Sequence, residues 1–206
     1  MASAVDICNL SLGHLGNSAN VSAISPPDGS VEAMHCARFY PMARKALLEK
    51  HTWGFNTKRK ALIEIVTTEK PDTWAFAYAV PNGIIRPVRV THPLAPDDDE
   101  GEDFKYEALS DGTPVIYTDA EDAILIYCVD VEDTTKFSGL FTLCLSRLLA
   151  SFLAGPLLKG TTGTKVSIEQ YKIFLQEYGQ AAAVDATARK SNPSTDHTPA
   201  SMSARA

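Results

Sequence analysis

The sequence predicts an α+β protein: a helical bundle built from both chain ends, an inserted antiparallel β module and a flexible C-terminal tail. Three observations carry this expectation. Apolar residues recur at helical spacing in two stretches before residue 52 and in two after residue 134. Between them the period drops to two, and turn residues punctuate short apolar runs. From Ser191 onward the chain is Ser, Thr, Pro and Ala with no apolar period. The division that follows is 1–52 and 134–190 as the two halves of the bundle, 53–133 as the β module and 191–206 as the tail. A chain of 206 residues suits one domain, or one domain with a sizeable insertion, and a hydrophobic fraction of 45% is too high for overall disorder.

The first helix is expected from Ser3 to Leu15. Ser3 can cap the free amides, and Asp6 favours the positive helix end. Val5, Cys8, Leu12 and Leu15 form one stripe, with Ile7 and Leu10 beside it, and Gly16-Asn17 stops the run. Pro26-Pro27 forbids helix in the loop that follows. The second helix is expected from Ser30 to Lys50, with Ala33, Ala37, Tyr40 and Leu47 on one face and Met34 and Leu48 adjacent. Pro41 cannot donate to the Ala37 carbonyl, so a kink or a restart is expected there. Trp53 and Phe55 then alternate out of the helix and should plug the helices onto the sheet.

Strands are expected at Leu62–Val66 and at Ile84–Val90, where Pro87 marks an edge or a break, while the aromatic run Thr73–Pro81 between them is ambiguous. Phe104–Leu109 alternates cleanly, and Asp111-Gly112 turns it into Pro114–Tyr117. Ala123–Val131 is apolar on both faces and should be central. These last three runs suggest a meander. Lys136–Leu158 is apolar almost all round, which predicts the central helix of the bundle rather than a membrane span. Gly160–Thr164 reads as a turn, and Ser167 to about Ala188 as the fourth helix.

Little in the sequence signals chemistry. Cys8, Cys36, Cys128 and Cys144 stand far apart in apolar patterns, so buried free thiols in a reducing compartment are expected. No signal-peptide pattern opens the chain. The acidic run from Asp97 to Asp103 does not fit a calcium loop, because Pro96 falls on the first ligand position. His14, His35, His51 and His92 never pair at i, i+4, and no nucleophile elbow appears. Gly160–Lys165 is too short for a phosphate loop, and Val166 stands where Ser or Thr would hold magnesium. No cofactor or metal is expected. The net charge of −6 argues against a protein whose main task is to grip phosphates. Lys58, Arg59 and Lys60, with Arg38, Arg44 and Lys45, form only a modest basic group. Arg38 and Arg44 flank Phe39, Tyr40 and Pro41 and could anchor an interface.

Four pieces, ICNLSLGHLG at Ile7–Gly16, DGSVEA at Asp28–Ala33, CARFYPMARKALLEKHTWGFNTKR at Cys36–Arg59 and WAFAYAVP at Trp74–Pro81, resemble the tail tubular protein A family. VDATARKSNP at Val184–Pro193 is a weaker match. These are the head-to-tail adaptors, or gatekeepers, of short-tailed bacteriophages. The resemblance implies a virion protein of the tail and neck, present in host cytoplasm during assembly, and no enzyme. It implies a ring, typically of twelve copies, beneath the portal protein. Such a ring extends the DNA channel, helps retain the genome and receives the next tail protein, the nozzle. Genomic DNA would pass through without specific binding, and no membrane is involved. The C-terminal segment of related adaptors reaches along the portal, which here corresponds to about Ala181–Ala206. The interface candidates are then Arg38, Tyr40, Arg44, Trp53, Lys58, Arg59, Arg189, Lys190 and Pro193. Two other classes compete: a small DNA-binding module using Lys58–Lys60, and a small metal-dependent enzyme using the acidic loop and His92.

Overall fold

The computed structural model describes residues 2–18, 20–94 and 101–189. Two helices precede and two follow a pair of antiparallel sheets in the chain. Helix α1 (Ala4–His14) begins with the expected capping box: Asp6 N–H donates to Ser3 Oγ at 3.1 Å, and Ser3 N–H donates back to the Asp6 carboxylate at 2.8 Å. Its buried face is Ile7, Cys8, Ser11 and Leu12, while Leu10 is exposed. Helix α2 (Val31–Lys50) is entered through a stapled turn. Asp28 accepts from the amides and hydroxyls of Ser22 and Ser30, and Ser30 Oγ accepts from Ala33 N–H at 3.1 Å. The helix does not restart at Pro41; helical geometry continues unbroken to Lys50.

After α2 a single 3-10 turn over Gly54–Asn56 leads into the sheets. The first sheet holds β1 (Thr57–Ala61), β7 (Ile124–Val129) and β4 (Ile84–Thr91) in the order β1-β7-β4. The second holds β2 (Ile63–Glu64), β3 (Phe76–Ala79), β6 (Pro114–Thr118) and β5 (Phe104–Ala108) in the order β2-β3-β6-β5. β7 is central, as its two apolar faces predict, and β4 is an edge strand whose register shifts on both sides of the Arg86-Pro87 pair.

Two strand expectations are corrected. The strand expected at Leu62–Val66 shortens to β2, Ile63–Glu64, and an unexpected strand, the polar run Thr57–Ala61, precedes it in the other sheet by pairing with β7 before the chain changes sheets at Leu62. Propensity does not signal a Lys-Arg-Lys strand; pairing with an apolar neighbour creates it, and the charges suit an edge. The expected meander is absent. β5 and β6 form the Asp111-Gly112 hairpin, but β7 leaves for the other sheet. The change happens in the Asp119–Asp122 turn, where Asp122 takes a positive φ of 52° and Asp119 accepts from Ala75 N–H at 2.8 Å.

Helix α3 (Gly139–Leu158) starts later than expected, at the Ser138 cap, because Thr134–Lys136 forms a 3-10 turn. It is central: it packs on α1, α2 and α4 (Gly160–Ala188), and Phe141, Leu145, Leu149 and Leu153 are fully buried. By length and composition α3 is also apolar enough to cross a membrane, and 56% of its most apolar window is buried inside the fold. The stretch expected to be a turn, Gly160–Thr164, is instead the first turn of α4. Lys159 and Gly160, each at a φ of 55°, complete the reversal in two residues, and helix resumes at once. Gly163 explains the close return. A Cβ there would lie 2.9 Å from the Ala154 carbonyl oxygen and 3.2 Å from that of Gly155, so α4 touches the α3 backbone.

The core is continuous. Leu12, Leu47, Trp53, Ile116, Leu125, Phe141 and Phe174 belong to one buried cluster that spans helices and both sheets. A small second cluster, Ala77, Val115 and Tyr117, covers the outer face of the four-stranded sheet.

Because backbone cannot yield, Gly163→Ala should destabilise by about 1–2 kcal/mol, overpacking outweighing the helix-propensity gain of Ala. Urea unfolding would measure it, and no loss of stability would contradict the contact.

Candidate functional site

The structure separates the interface candidates into core, tether and surface. Trp53, 1% exposed, is in the core: its indole N–H donates to the Leu47 carbonyl at 3.0 Å, and Phe141 meets it edge-on at 5.1 Å. Tyr40 is 4% exposed. Burial, the larger effect, raises its phenol pKa to about 12. Arg44 is 5% exposed and inward-facing; it donates to Asp130 through Nε at 3.1 Å and Nη2 at 2.9 Å, and to Glu132 at 3.0 Å. These three therefore offer no surface to a partner. On α2 Tyr40 and Arg44 occupy the face that packs inward, and Trp53, beyond the end of the helix, joins the same core. Arg189 is a tether. It donates to the Thr52 carbonyl and lies 4.0 Å from Asp185.

Arg38, Lys58 and Arg59 are exposed, Arg38 on α2 and the other two on the edge strand β1. Lys190, Pro193 and the acidic positions Asp97–Glu100 lie outside the described residues.

Arg189 belongs to a clamp that the sequence did not announce. Asp185 accepts from Gly54 N–H at 3.1 Å and lies 3.1 Å from His51 Nε2. Tyr178 Oη donates to the Lys50 carbonyl at 3.0 Å, with Lys50 Nζ over its ring at 5.3 Å. Arg86 from β4 donates to the Glu49 carbonyl at 2.9 Å and to Thr52 Oγ1 at 2.6 Å. The six residues from Glu49 to Gly54 are thus gripped from α4 and β4, and the end of α4 is fixed beside them. The spacing Tyr178, Asp185, Arg189 is a repeat of one helix face, but nothing in sequence names its target 130 positions earlier.

A second polar network lies inside the bundle. His14 Nε2 is 3.0 Å from Ser146 Oγ, whose own proton goes to the Leu143 carbonyl at 2.7 Å. The ring therefore donates to Ser146 and does not take its proton, which is the reverse of what nucleophile activation requires. Gln170 donates to the His14 carbonyl, and Arg147 donates to Gln170 and to Glu177. Burial, and then the Arg147 charge, lower the His14 pKa to about 4. The thiols follow the buried expectation. Cys8, in contact with Cys36, is raised; burial raises Cys128, and Cys144 is pushed up to about 11. Among the described residues, no three His, Cys, Asp or Glu side chains stand close enough to hold a metal ion.

Two predictions follow from these networks. Arg44→Ala leaves Asp130, 23% exposed, with only the looser Lys45 ammonium at 3.6 Å, and should cost about 2–3 kcal/mol in urea unfolding. Arg44→Lys keeps the charge but loses the fork, so it should restore only part. His14 gives a pH signature. The unfolded chain takes up its proton as pH falls through about 6.5, and the folded chain only near 4, so folding stability should decline across that window and stay level above it. His14→Gln should flatten thermal stability between pH 6.5 and 4; an unchanged slope would refute the assignment.

No protein-family model matches the chain, and no curated protein matches it.

Proposed function

We propose that this chain is a head-to-tail adaptor of a short-tailed bacteriophage: a non-enzymatic virion protein that self-associates into a ring under the portal. In this role it extends the DNA channel, helps retain the genome and receives the next tail protein. The observation that carries the reading is the order and spacing of the resembling pieces from Ile7 to Pro81. Their placement in the fold supports it. Ile7–Gly16 covers most of α1, Asp28–Arg59 covers the stapled turn, α2, the clamped segment and the start of β1, and Trp74–Pro81 covers β3. The resemblance therefore runs through the frame of the molecule and is not confined to one surface loop.

The clamp supports the same reading by its position. It fixes Arg189, the last described residue, against Thr52. The second reading, DNA binding through Lys58, Arg59 and Lys60, draws on their exposure on an edge strand. It requires duplex affinity that falls steeply with salt, whereas the adaptor requires almost none.

The test is electron microscopy of this protein mixed with the portal of the same virus. Rings on one portal face are expected, and free portals beside free monomers would remove the reading. Deleting Ser191–Ala206 should leave thermal unfolding unchanged and weaken docking at least tenfold; undiminished docking would contradict the role given to the tail.

A further inference from the structure

Two of the four cysteines meet. Cys8 lies on the buried face of α1 with Ile7, Ser11 and Leu12, and Cys36 lies on the buried face of α2 with Ala33 and Tyr40. Both are fully buried in one core cluster, and their thiols are in hydrogen-bond contact across the two helices. The other two thiols stand elsewhere. Cys128 on β7 sits against Thr52, and Cys144 on α3 feels the Glu177 charge.

The connection between the pair is held by its own bonds. Asn9, beside Cys8, clasps Val21: its Nδ2 donates to the Val21 carbonyl at 2.9 Å, and Val21 N–H donates back to Oδ1 at 2.8 Å. Asn17 donates to Glu32 at 3.3 Å, and the Asp28 staple fixes the start of α2 less than two turns before Cys36. The two sulfurs are therefore kept face to face by the loop as well as by the core. Their roles differ. The hydrogen bond from the Cys8 thiol lowers the Cys36 pKa against the opposing effect of burial, while the same bond and burial raise Cys8. Cys36 is the sulfur that carries thiolate, the attacking form, and Cys8 keeps its proton.

We infer that Cys8 and Cys36 are an oxidant-responsive pair, which a peroxide closes into a disulfide that braces α1 on α2. The step balances. Cys36 thiolate attacks one peroxide oxygen, the O–O bond breaks, and the departing hydroxide takes the former Cys36 proton and leaves as water. Cys36 is then a sulfenic acid. Cys8 sulfur attacks Cys36 sulfur, the S–O bond breaks, and a second water leaves with the Cys8 proton. Two thiols are oxidised by the loss of two hydrogens, and one peroxide is reduced to two waters. Hydrogen peroxide is little larger than water and reaches the buried pair through local openings of α1, the shortest of the four α-helices at 11 residues. The adaptor reading supplies only the occasion: a chain assembled in reducing cytoplasm and carried out in a virion enters an oxidising medium, where such a bond persists. The pair itself does not depend on that reading.

The test uses the full folded chain and hydrogen peroxide. Intact mass should fall by two hydrogens, and peptide mapping should find Cys8 joined to Cys36. Cys128 and Cys144 should stay open to alkylation once the chain is denatured. The closed chain should melt roughly 5–10 °C above the reduced one, a difference that dithiothreitol abolishes. Cys8→Ser removes the second sulfur alone, so Cys36 should then accumulate as a sulfenic acid that dimedone labels. The wild type, which consumes that acid by closing, should give no such label. Thiols that all stay reduced, a crosslink through Cys128 or Cys144, passage of wild-type Cys36 to sulfinic acid, or a closed chain that melts no higher would each overturn the inference. So would a folded Cys8→Ser chain without label. Mapping of the wild type needs no variant, so a Cys8→Ser chain that fails to fold leaves the inference open to refutation. None of these outcomes bears on the adaptor reading, which assembly on the portal decides separately.

Discussion

The burial of Trp53 is the constraint on which the remaining structure depends. Its indole sits where α2 ends and the sheets begin, hydrogen-bonded to Leu47 and ringed by His51 at 4.7 Å, Phe141 at 5.1 Å, Phe55 at 6.2 Å and Tyr178 at 6.3 Å. Those rings come from the turn, from α3 and from α4. One side chain therefore sets the angle at which the chain leaves the bundle and the depth at which both late helices dock. The polar grip on Glu49–Gly54 lies directly around it. Its bonds involve backbone carbonyls and amides freed by the end of α2, groups that would otherwise be orphaned. Aromatic burial supplies the stabilisation, and the hydrogen bonds supply direction, because the carbonyls of Leu47, Glu49, Lys50 and Thr52 each accept from a different side chain.

This arrangement explains why the sequence was readable in some places and not in others. The helices were legible because their caps and periods are local: Ser3 with Asp6, Ser30 before Ala33, and the apolar girth of α3. The central place of β7 was legible because a strand apolar on both faces must be covered on both. What failed was decided at long range. Thr57–Ala61 becomes a strand only because β7 offers it a partner, and its Lys-Arg-Lys core carries no β signal. The chain leaves the β5–β6 hairpin for the other sheet because β7 must lie between β1 and β4, a fact that no turn residue encodes. Gly160–Thr164 looks like a turn by composition, and Gly163 is there for contact with the α3 backbone. The interface candidates divide the same way. Aromatic and Arg residues mark interfaces and cores alike, and only the burial of Tyr40, Arg44 and Trp53 separates the two.

The stretch with the strongest resemblance to tail adaptors, Asp28–Arg59, turns Ala33, Cys36, Tyr40, Ala43, Arg44, Leu47, Leu48, Trp53 and Asn56 inward and leaves its other face exposed. It builds a frame that holds α4 and the sheets in one geometry. A core that joins bundle and sheets without a break holds the two in one geometry.

Native-state hydrogen exchange tests that continuity most directly. If helices and sheets share one core, the slowest amides of α3 and of β7 exchange through the same global opening, with equal free energies and equal denaturant dependence. Sheet amides that exchange through a separate, lower-energy opening while α3 stays protected would show that residues 53–133 fold as an independent module, and the account built on a single frame would fall.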